Sequence, residues 1–489
     1  MSDCDRPNLP PCLRSFALRQ LEMQHAHLQP PLMERAGQAA ADWLLPRLQA
    51  GDRLLLLAGP GNNGGDVLVM ARHLHQRGVP LHLVWLGEEA RLPGDAAAAL
   101  QQLRAAGCPL HTSLPPAQQW DWAVDGLFGI GLQRPLQGQY AEAVNYLHLY
   151  ARRILALDIP SGLQADTGYP TGPAVRAQYT LTFLSDKPGL WTGAGQDHAG
   201  EVHIAPLLDT LSVTDGWRLD QLPARLPARP HDSHKGRFGR VGIIGGAAGM
   251  QGAALLAGRA ALQLGAGRVW LGGLSPLPLD VSHLQLMQQP ADTLCTQALE
   301  ALVVGPGMGL EHAALQLLQQ SLHSTAPLLL DADALTLLGA HPALHTTVQQ
   351  RPAPTLLTPH PLEAARLLGC TVADIQADRI QHALQLAQQF KAWVVLKGAG
   401  SIVASPDGQW WVNGSGNPGL AVAGMGDVLA GMVAALLAQG MAAGDALLGA
   451  IWLHGAAADD AVAQQGGPIG LSCDEVITAA RSRLNRACY

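Results

Sequence analysis

The run Leu54-Leu-Leu-Leu-Ala58 is short, wholly apolar, and stops at Gly59-Pro-Gly-Asn-Asn-Gly-Gly-Asp66. A brief apolar run without polar alternation is the pattern of a strand buried on both faces. Such strands belong to parallel sheets covered by helices, so this one stretch already narrows the fold class. The following residues agree with it. Residues 67–76 predict a helix, Gly78-Val-Pro80 stops it, and residues 81–86 form a second apolar run. The right-handed crossover of such a unit leaves the glycine-rich loop at the carboxyl edge of the sheet. The alternation continues with strands predicted at 122–125, 154–158, 179–184 and 201–204, and helices at 95–106 and 141–152. The first ~210 residues therefore predict a doubly wound α/β layer.

Residues 216–234 carry three prolines and no sustained periodicity, which places a domain boundary there. The expected domains are 1–216 and 217–489. From Arg240 a second α/β set begins, with strands at 241–244, 269–271, 301–304, 328–330, 355–357 and 393–396. A hairpin is predicted across Ser405-Pro-Asp-Gly408, and helices at 375–390, 426–438, 442–465 and 472–485. A hydrophobic content of 48% with 14% charge argues against a disordered chain, and a net charge of −7 gives no sign of nucleic-acid binding. No apolar run has the roughly 18–20 residues of a membrane span, and the N-terminus has no apolar signal core. Seven scattered cysteines without metal spacing fit a reducing cytoplasm. The expectation is a soluble cytoplasmic protein with no nucleic-acid or membrane partner.

Three strand ends in the first half carry oxygen-bearing side chains. The loop 59–66 has four glycines, two asparagines and an aspartate, but lacks both the Lys-Ser/Thr of a Walker A loop and the Gly-x-Gly-x-x-Gly spacing. Asp125 precedes Gly126-Leu-Phe-Gly-Ile-Gly-Leu-Gln-Arg-Pro135, and Asp158 precedes Ile-Pro-Ser-Gly162. If the strands are parallel, all three motifs share one edge. Asn63, Asp125 and Ser161 then offer hard oxygens suited to an alkali or alkaline-earth cation. Each acid alone also suits a turn or helix cap.

In the second half, Asn413-Gly-Ser-Gly-Asn-Pro-Gly-Leu-Ala-Val-Ala-Gly-Met-Gly-Asp427 feeds an apolar helical run. A glycine-rich loop at a helix start is an anion site, because unpaired N–H groups and the helix dipole point at it. Asp427 at that spot can cap the helix or act as a base beside a bound phosphate. Earlier motifs are Gly305-Pro-Gly-Met-Gly309, Asp331-Ala-Asp-Ala-Leu335, Thr358-Pro-His-Pro-Leu-Glu363 and Lys397-Gly-Ala-Gly-Ser401. The chain has only four lysines, at 187, 235, 391 and 397, which draws attention to where they stand.

The ordered motifs of the first half, with Pro31-Leu-Met-Glu-Arg-Ala-Gly37, resemble the NAD(P)H-hydrate epimerases. The resemblance implies a Rossmann-like domain with bound K⁺ on Asn63, Asp125 and Ser161. It also implies a hydrate site on Asn62, Asn63, Gly64, Gly65, Asp66, Gly129, Ile130, Gly131, Leu132, Gln133, Arg134, Pro135 and Asp158, with Asp158 as the acid/base. The motifs of the second half resemble the ADP-dependent NAD(P)H-hydrate dehydratases of ribokinase-like fold. There the resemblance implies nucleotide contacts from Lys397, Gly398, Ala399, Gly400, Ser401 and Gly426. Ala253, Gly309, His360 and Asp427 would contact the hydrated dinucleotide, with Asp427 as the base. The fused order is similar to the bifunctional NAD(P)H-hydrate repair enzymes. It implies hydrated NADH and NADPH as substrates, ADP as co-substrate with Mg²⁺, and a homo-oligomer.

Departures from the family pattern are Val67 and Ile130 in the first half, where Gly and Thr are usual. In the second half Met425 replaces a small polar residue and Leu362 a glycine. Two rival readings remain at this level. The same fold and loop suit small-molecule kinases, and the first domain can be a binding module with a structural cation.

Overall fold

The computed structural model describes residues 9–132, 134–170 and 172–488. They form two compact units, one of residues 10–216 and one that contains residues 217–489.

In the first unit six parallel strands make one sheet. They are β1 (Leu54–Ala58), β2 (His82–Trp85), β3 (Trp122–Gly126), β4 (Ile154–Leu157), β5 (Tyr179–Phe183) and β6 (Glu201–Ala205), in the spatial order β2-β1-β3-β4-β5-β6. The apolar run of β1 is buried throughout because it serves two cores. Leu54, Leu56 and Ala58 pack on one face of the sheet, and Leu55 and Leu57 on the other. Helices Leu32–Leu44, Asn62–Gln76 and Gly94–Ala105 cover the first face, and Gln139–Tyr150 covers the second. The chain leaves β1 for β2 on one side and returns to β3 on the other. This reversal opens a crevice at the carboxyl ends of β1 and β3, the usual ligand position in such sheets.

The second unit repeats the principle with more strands: β7 (Gly216–Leu219), β8 (Arg240–Gly245), β9 (Arg268–Gly273), β10 (Met287–Gln288), β11 (Ala301–Val304), β12 (Leu328–Leu330), β13 (Thr355–Leu357), β14 (Trp393–Leu396), β15 (Ile402–Ala404) and β16 (Trp410–Asn413). Their order is β7-β16-β15-β14-β13-β12-β11-β8-β9-β10. Strands β14 to β16 pair antiparallel, so the expected hairpin is present; the other pairs are parallel. The switch of direction lies between β8 and β11.

Three expectations need correction. The stretch from residue 216, expected to show no sustained periodicity, opens as strand β7, parallel to β16 and with the Trp217 and Trp411 rings stacked. Its prolines begin only after that strand, so periodicity had too few residues to register. The helix expected at 375–390 is two helices, Val372–Ala377 and Arg379–Phe390, because the Asp378 side chain accepts from Gln381 N and starts a new helix. The first glycine-rich loop is also shorter than expected. Helix Asn62–Gln76 begins inside it, so residues 62–66 form its first turn. The glycines there serve close packing. A side-chain carbon on Gly64 would lie 2.0 Å from Gly59 O, and one on Gly65 2.7 Å from Met33.

Candidate functional site

The crevice of the first unit is a cavity of about 620 Å³. Asn62, Asn63, Asp66, Gly129, Ile130, Gly131, Leu132 and Asp158 line it together with Glu22 and Lys187. Among the other expected hydrate contacts, Gly64 and Gly65 spend their Cα faces on packing. Arg134 and Pro135 do not line this cavity, and Gln133 lies outside the described residues.

Beneath the cavity is a buried polar knot. Ser161 Oγ donates to Asp125 Oδ1 at 2.7 Å, and Ser161 N donates to Asp125 Oδ2 at 2.8 Å. Phe128 N donates to Ser161 Oγ at 2.9 Å. Burial pushes the Asp125 carboxyl up to about 6 against these hydrogen bonds. Asn63 donates to Leu157 O at 3.1 Å, while its buried Oδ1 has no hydrogen-bond partner among the described residues. An orphaned amide oxygen and a fully buried carboxylate are surroundings that a bound alkali or alkaline-earth cation satisfies. Among the described residues no three His, Cys, Asp or Glu side chains gather as a metal cluster, so a site here would rest on amide, hydroxyl and carboxylate oxygens.

Asp158 follows β4 with φ of +67°, a left-handed conformation uncommon outside glycine. Its Oδ1 pairs with Lys187 Nζ at 2.7 Å. Lys187 was not among the expected site residues. The only signal for it was the scarcity of lysine in the chain. Two further carboxyls face this pair. Burial, then Asp158 and Glu22, holds Asp66 well above the usual carboxylate range, and burial, then Asp158, raises Glu22. Ile130 packs against the buried Leu13, Leu18 and Leu21 of the N-terminal segment, so the residue that departs from the family pattern builds the cavity wall.

In the second unit the motifs stand at the carboxyl ends of β8, β11, β12, β13 and β14. Tight backbone contacts bind them together. A side-chain carbon on Gly305 would lie 1.8 Å from Asp331 O, and one on Gly307 3.1 Å from the Ala253 methyl. Gly309 N donates to Asp333 Oδ2 at 2.9 Å. Thr358 Oγ1 donates to Asp331 Oδ1 at 2.8 Å, and Lys397 Nζ meets the same oxygen at 2.7 Å. Burial opposes the Lys397 ammonium, but Asp331 and Glu363 outweigh it and push the group up. The residues 398–401 form a turn in which Ser401 Oγ donates to Gly398 O at 3.0 Å.

The second glycine-rich loop ends in helix Met425–Ala438, whose N-cap is Gly424 at φ +94° with no side-chain cap. Asp427 therefore does not cap this helix. It lies in the third helical position, where burial, then Asp331, pushes its carboxyl up to about 7 against the pull of Lys397. Lys397 Nζ is 3.4 Å from where a Gly426 side chain would begin, so the ammonium stands at the first helical turn. His360, expected as a hydrate contact, is the N-cap of helix Pro361–Leu368. Its Nδ1 accepts from Leu362 N and Glu363 N, and Glu363 returns the contact to His360 N at 2.8 Å. Burial, then Lys397, depresses His360, whose ring is still half-exposed. Met425 is buried against Cys473, with sulfur atoms 3.9 Å apart, so its side chain belongs to the core and its backbone to the loop.

Both halves are therefore α/β units that carry their motifs at the carboxyl ends of the strands, and in the first these line a crevice at the sheet's switch point. Residues 29–189 match the family model described as YjeF-related protein N-terminus, and residues 241–479 match that of NAD(P)H-hydrate dehydratase. The bifunctional NAD(P)H-hydrate repair enzyme Nnr of Escherichia coli is 38% identical over 89% of this chain and 86% of its own length. That of Moorella thermoacetica is 36% identical over 89% and 88%. The crystal structure of the ADP/ATP-dependent NAD(P)H-hydrate dehydratase of Bacillus subtilis is 30% identical, covering 56% of this chain and 99% of that one with a TM-score of 0.50. The chain belongs to the family of bifunctional NAD(P)H-hydrate repair enzymes. It is an enzyme with an epimerase and a dehydratase domain.

Proposed function

We propose that the first unit interconverts the R and S forms of hydrated NADH and NADPH at C6. The second unit returns the S form to the dihydropyridine, using ADP and releasing AMP and phosphate. The observation that carries the dehydratase reading is the placement of Asp427, with its proton affinity near 7, in the first turn of a helix that Lys397 faces. A base serves best when its pKa lies near the working pH. Hydroxide is a poor leaving group from the hydrated ring, and phosphate is a good one. Asp427 takes the C6 hydroxyl proton, and the oxygen attacks the terminal phosphorus of ADP as AMP departs. The N–H groups of residues 424–427 and the Lys397 ammonium face the charge on the transferring group. The C6–O bond then breaks with both electrons leaving on phosphate, N1 supplies its pair to C6, and loss of a C5 proton restores the ring. Magnesium would enter with the nucleotide. Residues 398–401 and Gly426 are the proposed nucleotide contacts, and Ala253, Gly309 and His360 the proposed hydrate contacts.

In the first unit Asp158 is the acid/base. It takes the C6 hydroxyl proton while the C6–N1 bond breaks, giving a C6 aldehyde and an N1 pair spread into the carboxamide, and N1 takes a proton. Closure on the opposite face reverses both transfers. K⁺ on Asn63, Asp125 and Ser161 would offset the charge of the dinucleotide phosphates. An equal mixture of both hydrate epimers, given ADP, tests the whole reading. Complete conversion, faster than the epimers interconvert unaided, is expected. A halt once the S form is used up would refute the epimerase half, and a stable phosphorylated product would favour a kinase instead.

A further inference from the structure

Lys187 is the cavity residue that the expected ligand set leaves out. It is buried, yet its side chain lines the cavity. Nζ donates to Thr182 Oγ1 at 2.7 Å and to Phe183 O at 3.1 Å, and it pairs with Asp158 Oδ1 at 2.7 Å. Three acceptors match the three protons of an ammonium, which fixes the side chain in one orientation. Two of them, Thr182 and Phe183, lie on β5, which pairs in parallel with β4, the strand that ends at Asp158. Lysine is thus fastened to the sheet, and the carboxylate to the lysine. Phe183 N also reaches Asp158 Oδ1, at 3.4 Å.

Asp158 Oδ1 is therefore committed, whereas Oδ2 points elsewhere. A side-chain carbon built on Gly129 would lie 3.2 Å from Oδ2. That oxygen faces the cavity-lining loop of residues 129–132, where any side chain at position 129 would crowd it. The charged groups around the pair are Glu22 and Arg19 from helix Ser15–Gln24 and Asp66 from helix Asn62–Gln76. Among these carboxyls Asp158 is the one that Lys187 grips directly.

We infer that Lys187 is the positioning residue of the epimerase site: by holding Asp158 Oδ1 it presents Oδ2 as the oxygen that takes and returns the C6 hydroxyl proton. This rests on the epimerase reading of the first unit. Lys187→Met keeps the side chain's length and removes its charge. It is expected to lower kcat for epimerisation about 100-fold with KM within about threefold, because alignment of a general base is worth roughly that much. Lys187→Arg, which keeps the charge, is expected to regain at least about tenfold of the loss. ADP-dependent dehydration of the S hydrate, carried by the second unit, monitors the same preparations. Should Lys187→Met not fold, Thr182→Val carries the test, since it removes one anchor and leaves the ion pair. A fall in kcat of about threefold to tenfold at constant KM is then expected. An unchanged kcat in Lys187→Met, or in Thr182→Val where Lys187→Met does not fold, or a loss confined to KM, would overturn the inference. Asp158→Ala separates the two claims. If it still epimerises, the reading of the unit fails, and if it is dead while Lys187→Met is normal, only the role of the lysine fails.

Discussion

Each unit sets an aspartate beside a lysine, and the two arrangements are opposite. In the first, Lys187 is bound to the proposed base itself, at 2.7 Å from Asp158. In the second, Lys397 is bound at the same distance to Asp331, and Asp427 stands free of a direct ion pair among the described contacts. A direct pair fixes a carboxylate in place. At Asp427 burial, then the charge of Asp331, holds the proton affinity near 7, while the lysine that Asp331 claims stands at the first helical turn. The difference suits the two chemistries. Inversion at C6 needs a proton carried a short way out and back, while phosphoryl transfer needs a base and positive charge together.

The sharpest way to break this comparison is to remove each base in turn. Asp427→Asn is expected to lower dehydration about a thousandfold while epimerisation continues, and Asp158→Ala to do the reverse. Assaying both activities on both variants checks this; loss of both activities in either variant would deny that the units work separately. Next is pH. Asp427 must be ionised to act, so kcat for dehydration should rise with pH and level off above about 7. Below that it should fall about tenfold per pH unit. A profile flat from pH 8 to 5 would remove Asp427 as the base. Lys397→Met tests the claimed lysine. It leaves Asp331 buried without its cation, so a stability loss of about 3 kcal/mol is expected, read as a lower denaturation midpoint. The turnover lost at saturating ADP then measures what Lys397 gives the phosphoryl group. The smallest effect belongs to Met425→Ser, which restores a polar residue to the loop. Because the side chain points into the core, about 2 kcal/mol of stability should be lost, with KM for ADP unchanged. A fall in that KM would show that position 425 addresses the nucleotide.

Much of both sites was legible because their residues follow strand ends. Parallel pairing brings Asn63, Asp125 and Asp158 to one edge, and the residues from 305 to 401 to another, whatever lies between. Lys187, Glu22 and Asp331 were harder. Asp331 stood in a quoted motif without a role, since its partners Thr358 and Lys397 come from other strands. Glu22 lies on a helix ahead of the motifs, and no local pattern aims a helix side chain at a distant cavity. The strand at 216–219 was missed because four residues do not establish a period.

The sequence by itself determined the two α/β units, the strand edges that carry the loops, and which acids could serve as bases. Those follow from apolar runs, glycine and chain order, which act locally. Tertiary structure decided how the charges are shared. Only packing set Lys187 on Asp158, gave Lys397 to Asp331 and turned Met425 inward. The physical reason is that proton affinity depends on burial and on charges a few ångströms away. In a folded chain those neighbours come from strands far apart in sequence.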